Sequence, residues 1–183
     1  MRSITVRRLG RLVPAVLTVL VAVSIPAAAH AACADRNRSP DEISASAVRT
    51  ATLCLVNAKR RAHDLRPLRH ATKLIRAARR HSHDMVRHDY FAHDSRSGAS
   101  FGKRIARTGW MRGRKNWVIG ENLAWGGGSR STPRVTVAAW MHSPAHRRNI
   151  LHGRFRVIGI GVAHGVPVSG GGAGATYTTD FGS

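Results

Sequence analysis

The chain has 183 residues, with 30 Lys or Arg against 9 Asp or Glu and a formal net charge of +21 at pH 7. No run beyond the N-terminus is apolar enough for a membrane helix, and no nucleic-acid motif accompanies the charge, which excludes a membrane-embedded protein and a dedicated nucleic-acid binder. Almost all the basic residues are Arg, spread over predicted helices and loops alike, so the charge reads as a compositional bias that draws the protein toward anionic polymers rather than as one designed groove.

MRSITVRRLGR followed by LVPAVLTVLVAVSIPAA has the positive and then apolar regions of a secretory signal peptide, with small residues flanking His30. Cleavage after Ala31 gives a signal peptide over residues 1–31 and lowers the charge to about +17, since Arg2, Arg7, Arg8 and Arg11 leave with it. Residues 32–50 form an N-terminal extension and the start of the first helix, and residues 51–183 one domain, large enough to bury a core without help from metal. Export makes Cys33 and Cys54 a candidate disulfide. Cys54 lies roughly 21 Å along a helix from Pro40 and the residues from Cys33 reach roughly 24 Å, so a bridge forms only if residues 33–39 run back along that helix. The alternative is a buried free thiol at Cys54.

Ser39-Pro40-Asp41-Glu42 has the pattern of a capping box opening the first helix, which runs to a stop near Leu65-Arg66-Pro67. A second helix places Leu74, Ala78, His81 and Met85 on one face. FGKRIARTGW contains a short helix closed by Gly109, and WVIGENLAW begins as a strand. STPRVTVAAWM reads as a helix capped by Ser131 or Thr132, and Ser143-Pro144 repeats the cap-then-proline pattern. FRVIGIGVAHG and ATYTTDFG are the clearest strands. Helices first and strands last predict an α+β fold, an antiparallel sheet covered by helices.

Three stretches set ligand-type side chains beside punctuated backbone: YFAH with His93, GENLAW with Glu121, and SPAHRRNIL with His146. Glu121 is one of only two glutamates, Glu42 being the other. Two imidazoles and a carboxylate can hold a divalent metal such as zinc, or handle a water molecule. Each could equally be structural, Glu121 satisfying buried donors and the histidines bracing helix to sheet. Ser143 reads as a helix cap and Asp180 as a structural hydrogen-bonding group.

Taken together, HSHDMVRHDYFAH, GENLAWG, WMHSPAHRRNIL, FRVIGIGV and YTTDFG resemble, in order and from about Ala51 to Phe181, the signature segments of the CAP superfamily, in its bacterial secreted branch. That group takes its name from cysteine-rich secretory proteins, antigen 5 and pathogenesis-related 1 proteins. The resemblance implies a three-layer α-β-α sandwich with a central antiparallel sheet and an open cleft lined by two histidines and two acids. Carried over, the histidines are His93 and His146 and the first acid is Glu121. The second acid follows a tryptophan matching Trp140, where this chain has Met141, His142 and Ser143 and no carboxylate; His142 is the candidate to face the cleft instead.

The resulting expectation is a monomeric, secreted, extracellular CAP-domain protein, associated with the cell wall or free, whose cleft of His93, Glu121 and His146 binds a small ligand, a lipid or a divalent cation. It needs no cofactor. One alternative is a metal-dependent hydrolase with Glu121 as general base and zinc on His93 and His146. Another is a polycationic module that binds anionic cell-envelope polymers.

Overall fold

The computed structural model describes residues 33–183; the expected signal peptide and its cleavage site lie outside them. The first helix starts later than the capping box suggests. Pro40–Glu42 form a single 3-10 turn whose Ser39 side chain makes no cap, because Glu42 pairs instead with Arg38 at 2.8 Å and Ile43 turns extended. Ser44 then supplies the cap, accepting from Ala47 N, and α1 covers Ala45–Arg61. The segment before it does run back along the helix, and Cys33 and Cys54 form a disulfide, their Cα atoms 5.7 Å apart.

Helices α2 (Thr72–Arg87), α3 (Phe101–Arg107), α4 (Pro133–His142) and α5 (Pro144–Ile150) match the predicted helical segments. Thr132 caps α4 by accepting from Val135 N, whereas Ser143 holds the cap position of α5 without a capping bond. Among the described residues the sheet has four strands, β1 (Arg69–His70), β2 (Ile119–Gly127), β3 (Val157–His164) and β4 (Gly174–Gly182), in the order β1-β3-β4-β2. Three are antiparallel neighbours, as expected. The two-residue β1 adds a parallel pairing to β3 that the sequence did not announce, Arg69 lying opposite Val157.

The sheet separates two helical layers. Along β3, Ile158, Ile160 and Val162 join Val48, Trp140 and Phe155 in the larger core under α1, α4 and α5. The alternating Gly159 and Gly161 face α2, where an added Cβ would come within 2.1 Å of Leu74 C and 2.2 Å of Ala78 C. Any side chain there would lift α2 off the sheet. On that side Leu74, Ala77, Ile105 and Trp110 make a second, smaller core, which completes the α-β-α sandwich. Among the described residues no helix is long and apolar enough to cross a membrane.

Candidate ligand-binding site

Strand β2 carries Glu121 on the face toward α2 and α3, opposite Asp180 of β4. The Glu121 side chain is 1% exposed, so its carboxylate needs partners on both oxygens. His93, in the loop after α2, donates from Nδ1 to Oε1 at 2.8 Å, and Arg104 of α3 donates from Nη2 to Oε2. The other terminal nitrogen of Arg104 donates to the carbonyls of His93, at 2.6 Å, and Ala99, at 2.9 Å. A single guanidinium thus fixes both the acid and the loop that brings the imidazole to it.

The result is a polarised ring. His93 is anchored at Nδ1 by a buried carboxylate while its side chain stays 56% exposed. The hydrogen bond to Glu121 holds the proton affinity of His93 above the ordinary value of 6.5. His146, on α5, is half-buried, and burial followed by the charge of His93 pushes its proton affinity down. The two rings are thus shifted in opposite directions. Helix α5 is tied to β2 by Asn149, which donates to Glu121 O and to Asn122 Oδ1, and by Asn122, which donates to His146 O. Gly120 permits this approach, since a Cβ there would lie 3.0 Å from Asn149 Oδ1 and from Phe155 Cζ.

Behind Glu121 lie two polar groups with no outlet. Asp180 is 1% exposed, and burial first, then the charge of Glu121, holds its carboxyl well above the usual carboxylate range. Its Oδ1 has no hydrogen-bond partner among the described residues, and neither has Nδ1 of His81, whose Nε2 donates to Ala92 O at 2.9 Å. Burial first and then the Arg104 charge push the proton affinity of His81 down. A hollow of about 230 Å³ borders the clamp on this side, lined among others by His81, Asp84, Arg104 and Arg107, but by neither His93 nor His146.

The structure thus joins His93 to Glu121 and sets His146 within electrostatic reach of them, while His142, the expected stand-in for the second acid, is exposed at the end of α4. Asp180 supplies a second carboxyl beside Glu121, from β4 rather than from the segment after Trp140. Sequence reasoning misses Arg104 because nothing distinguishes it among so many arginines; its place one helical turn after the Ser100 cap is the available signal.

The molecule is thus an α-β-α sandwich whose edge strand β2 presents a buried acid to an exposed imidazole. The chain belongs to the Cysteine-rich secretory protein family, CAP, which it matches over residues 53–175. It is 37% identical over 119 residues to YkwD of Bacillus subtilis (strain 168), covering 64% of this chain and 43% of that protein. An extracellular protein containing an SCP domain from Bacillus anthracis str. Ames superposes with a TM-score of 0.58 at 26% identity, over 76% of this chain and 43% of that one. An outer surface protein from Borrelia burgdorferi shares the fold at a TM-score of 0.61 and 17% identity, over 76% and 95% of the respective chains. The chain therefore spans less than half the length of the two Bacillus relatives.

Proposed function

We propose that the protein is an exported CAP-domain binding module that takes a small polar ligand on the exposed ring of His93 and the half-buried ring of His146. One observation carries the reading: His93 is oriented by a carboxylate that is itself almost fully buried, yet most of the ring surface is open to solvent. Ring orientation by a buried partner is how binding and ligating histidines are prepared for an external group. The protonation preferences define the ligand's chemistry. An anionic or carbonyl oxygen suits His93, whose proton affinity its carboxylate partner raises, and His146, whose proton affinity burial lowers, offers a ring nitrogen that can accept as well as one that donates. Export is supported by the N-terminal basic and apolar segments.

The hydrolase alternative requires Glu121 to reach a water molecule, whereas its side chain is 1% exposed and each oxygen already accepts a hydrogen bond, from His93 and from Arg104. Zinc is among the expected occupants. Among the described residues no three His, Cys, Asp or Glu side chains are grouped to hold a metal ion, and two imidazoles alone fall short of the three protein ligands of a water-activating centre. The residues therefore do not fit a resident catalytic metal.

The test is NMR of the histidine ring nitrogens in the mature protein, titrated separately with acetate, inorganic phosphate and zinc chloride. The reading expects at least one probe to shift His93 and His146 together and to raise the melting temperature, with both effects lost in a His93→Ala, His146→Ala double variant. Equal thermal shifts in that variant overturn it. So does peptide or ester hydrolysis by the native protein that disappears in Glu121→Gln while the variant stays folded.

A further inference from the structure

Although the sequence spreads its arginines evenly, α2 collects several of them on one side. A groove of about 490 Å³ runs between the start of α1, the second half of α2 and the end of β3. Arg49 of α1 and Arg79, Arg80 and Arg87 of α2 line it, together with His83 and Asp84. None of the four arginines has a carboxylate within ion-pair distance among the described residues, where Arg38 and Arg104 are the arginines that do. Asp84, the acid in the groove, is already engaged by Tyr90 Oη and by His88 Nδ1 at 3.0 Å. At the far end His164 faces Asp41 at 3.6 Å.

A second, independent observation sharpens this. Arg49 is only half-exposed and still has no acid beside it. Burial first, and then the charge of Arg79, lower its proton affinity, and His83 is lowered by burial and by Arg79, Arg87 and His164. A partly desolvated cation held against another cation is a cost that the fold does not offset internally. An anion laid along the groove would offset it.

We propose that this groove binds a linear phosphate-bearing polyanion, at a site separate from the His93 and His146 rings. The dimensions favour a chain over a single ion, since Arg79 and Arg87 are eight residues apart, about 12 Å along the helix, and Arg49 approaches from another helix. Among the described residues no Phe, Tyr or Trp lines the groove, and its rings are the imidazoles of His83, His88 and His164, a poorer stacking surface than the aromatic platforms of single-strand binders. The apolar lining residues are Ala45 and Val162, and Val162 is buried, so no hydrophobic wedge is offered to a bilayer. Guanidinium groups are suited to phosphate oxygens, which they bind in a bidentate manner.

The experiment measures binding of the mature protein to long-chain inorganic polyphosphate, with orthophosphate, an oligothymidylate of matched charge and vesicles containing an acidic phospholipid as separate arms. Native protein should bind polyphosphate at least tenfold more tightly than the oligothymidylate or the vesicles, with orthophosphate weaker still. Affinity should fall linearly with salt on a logarithmic scale, the slope decreasing by about 0.7 for each groove arginine removed. Arg49→Gln, Arg79→Gln, Arg87→Gln should lose at least tenfold in affinity, and the pair Arg79→Gln, Arg87→Gln, which leaves half-buried Arg49 in place, at least threefold. The control Arg112→Gln, Arg148→Gln, Arg154→Gln removes the same charge elsewhere and should lose less than threefold. Equal losses in the two triple variants overturn the proposal by showing that only net charge matters. Oligothymidylate or vesicles binding as tightly as polyphosphate overturn it, as does loss of binding in the His93→Ala, His146→Ala variant, which would move the ligand to the other site.

Discussion

Arg60 and Arg104 both turn their guanidinium groups into the protein, and they are satisfied by opposite means. Arg60, near the end of α1, is fully buried and donates only to carbonyls: Arg66 O at 2.8 Å, Ile150 O at 2.7 Å, His152 O at 3.1 Å and Phe155 O at 3.3 Å. Its proton affinity is lowered by burial, with no acid to restore it. Arg104 uses carbonyls of the His93 loop too, but it directs its other terminal nitrogen to Glu121, which passes the connection to a ring in solvent. The first arrangement ends inside the fold and can only hold loops together. The second ends at the surface, in a side chain able to meet a ligand.

The sharpest way to test that difference is to remove Arg60. Arg60→Met would leave the buried Ile150 O and the part-buried Arg66 O without a donor, since His152 O also accepts from Phe155 N and Phe155 O from Arg156 Nη1; with the lost packing the total loss should be about 2–4 kcal/mol. For a domain of this size that corresponds to a melting temperature lower by roughly 10 °C. The His93 ring resonances should nonetheless keep their native shifts in the folded protein. A loss under about 1 kcal/mol would show that the brace is dispensable.

Glu121 and Asp180 extend the comparison to two acids that face one another across β2 and β4. Glu121→Gln removes the counter-charge of Arg104, whose side chain is 9% exposed, and should cost about 2–4 kcal/mol. Asp180→Asn replaces a carboxyl whose proton affinity burial raises well above the usual range with a neutral isostere, and should change stability at pH 7 by less than about 1 kcal/mol. Chemical denaturation of both variants gives the order directly. If Asp180→Asn proved the more disruptive, Asp180 would be the ionised member of the pair.

How far the sequence reveals this arrangement depends on the range of the interactions. Helix α2 is written in the spacing of Leu74, Ala78, His81 and Met85, all buried as that spacing requires, and β3 and β4 in alternation between glycine-rich turns. The start of α1 is misplaced by the sequence because a capping pattern is a local signal that Glu42 abandons for Arg38. The two residues of β1 have no period to read, and their pairing with β3 depends on the tertiary fold. At the site, the scarcity of glutamate draws attention to Glu121, and the resemblance suggests which histidines to set beside it. Arg104 and the burial of Asp180 follow from packing across α3, β2 and β4, for which one chain offers no local sign.

The smallest effect concerns pH. The hydrogen bond to Glu121 raises the proton affinity of His93 above 6.5, so the charged ring is the form the fold favours. Its stabilising contribution is complete below about pH 6.5, where the unfolded ring is also charged, and is lost as pH climbs through the higher value that applies in the fold. His81 and His146 act in the opposite sense, because burial lowers both: their contribution is present above about pH 6.5 and is lost as acid forces protons onto them. His93→Ala should therefore cost more stability at pH 6 than at pH 9, the difference staying under about 1 kcal/mol because water screens an exposed ring. His81→Ala, which also leaves a cavity, should cost more at pH 9 than at pH 6. Urea midpoints at the two pH values compare the variants with native protein. A His93→Ala deficit that grows toward pH 9 would mean that the fold favours the neutral ring, which a buried carboxylate at 2.8 Å from Nδ1 opposes.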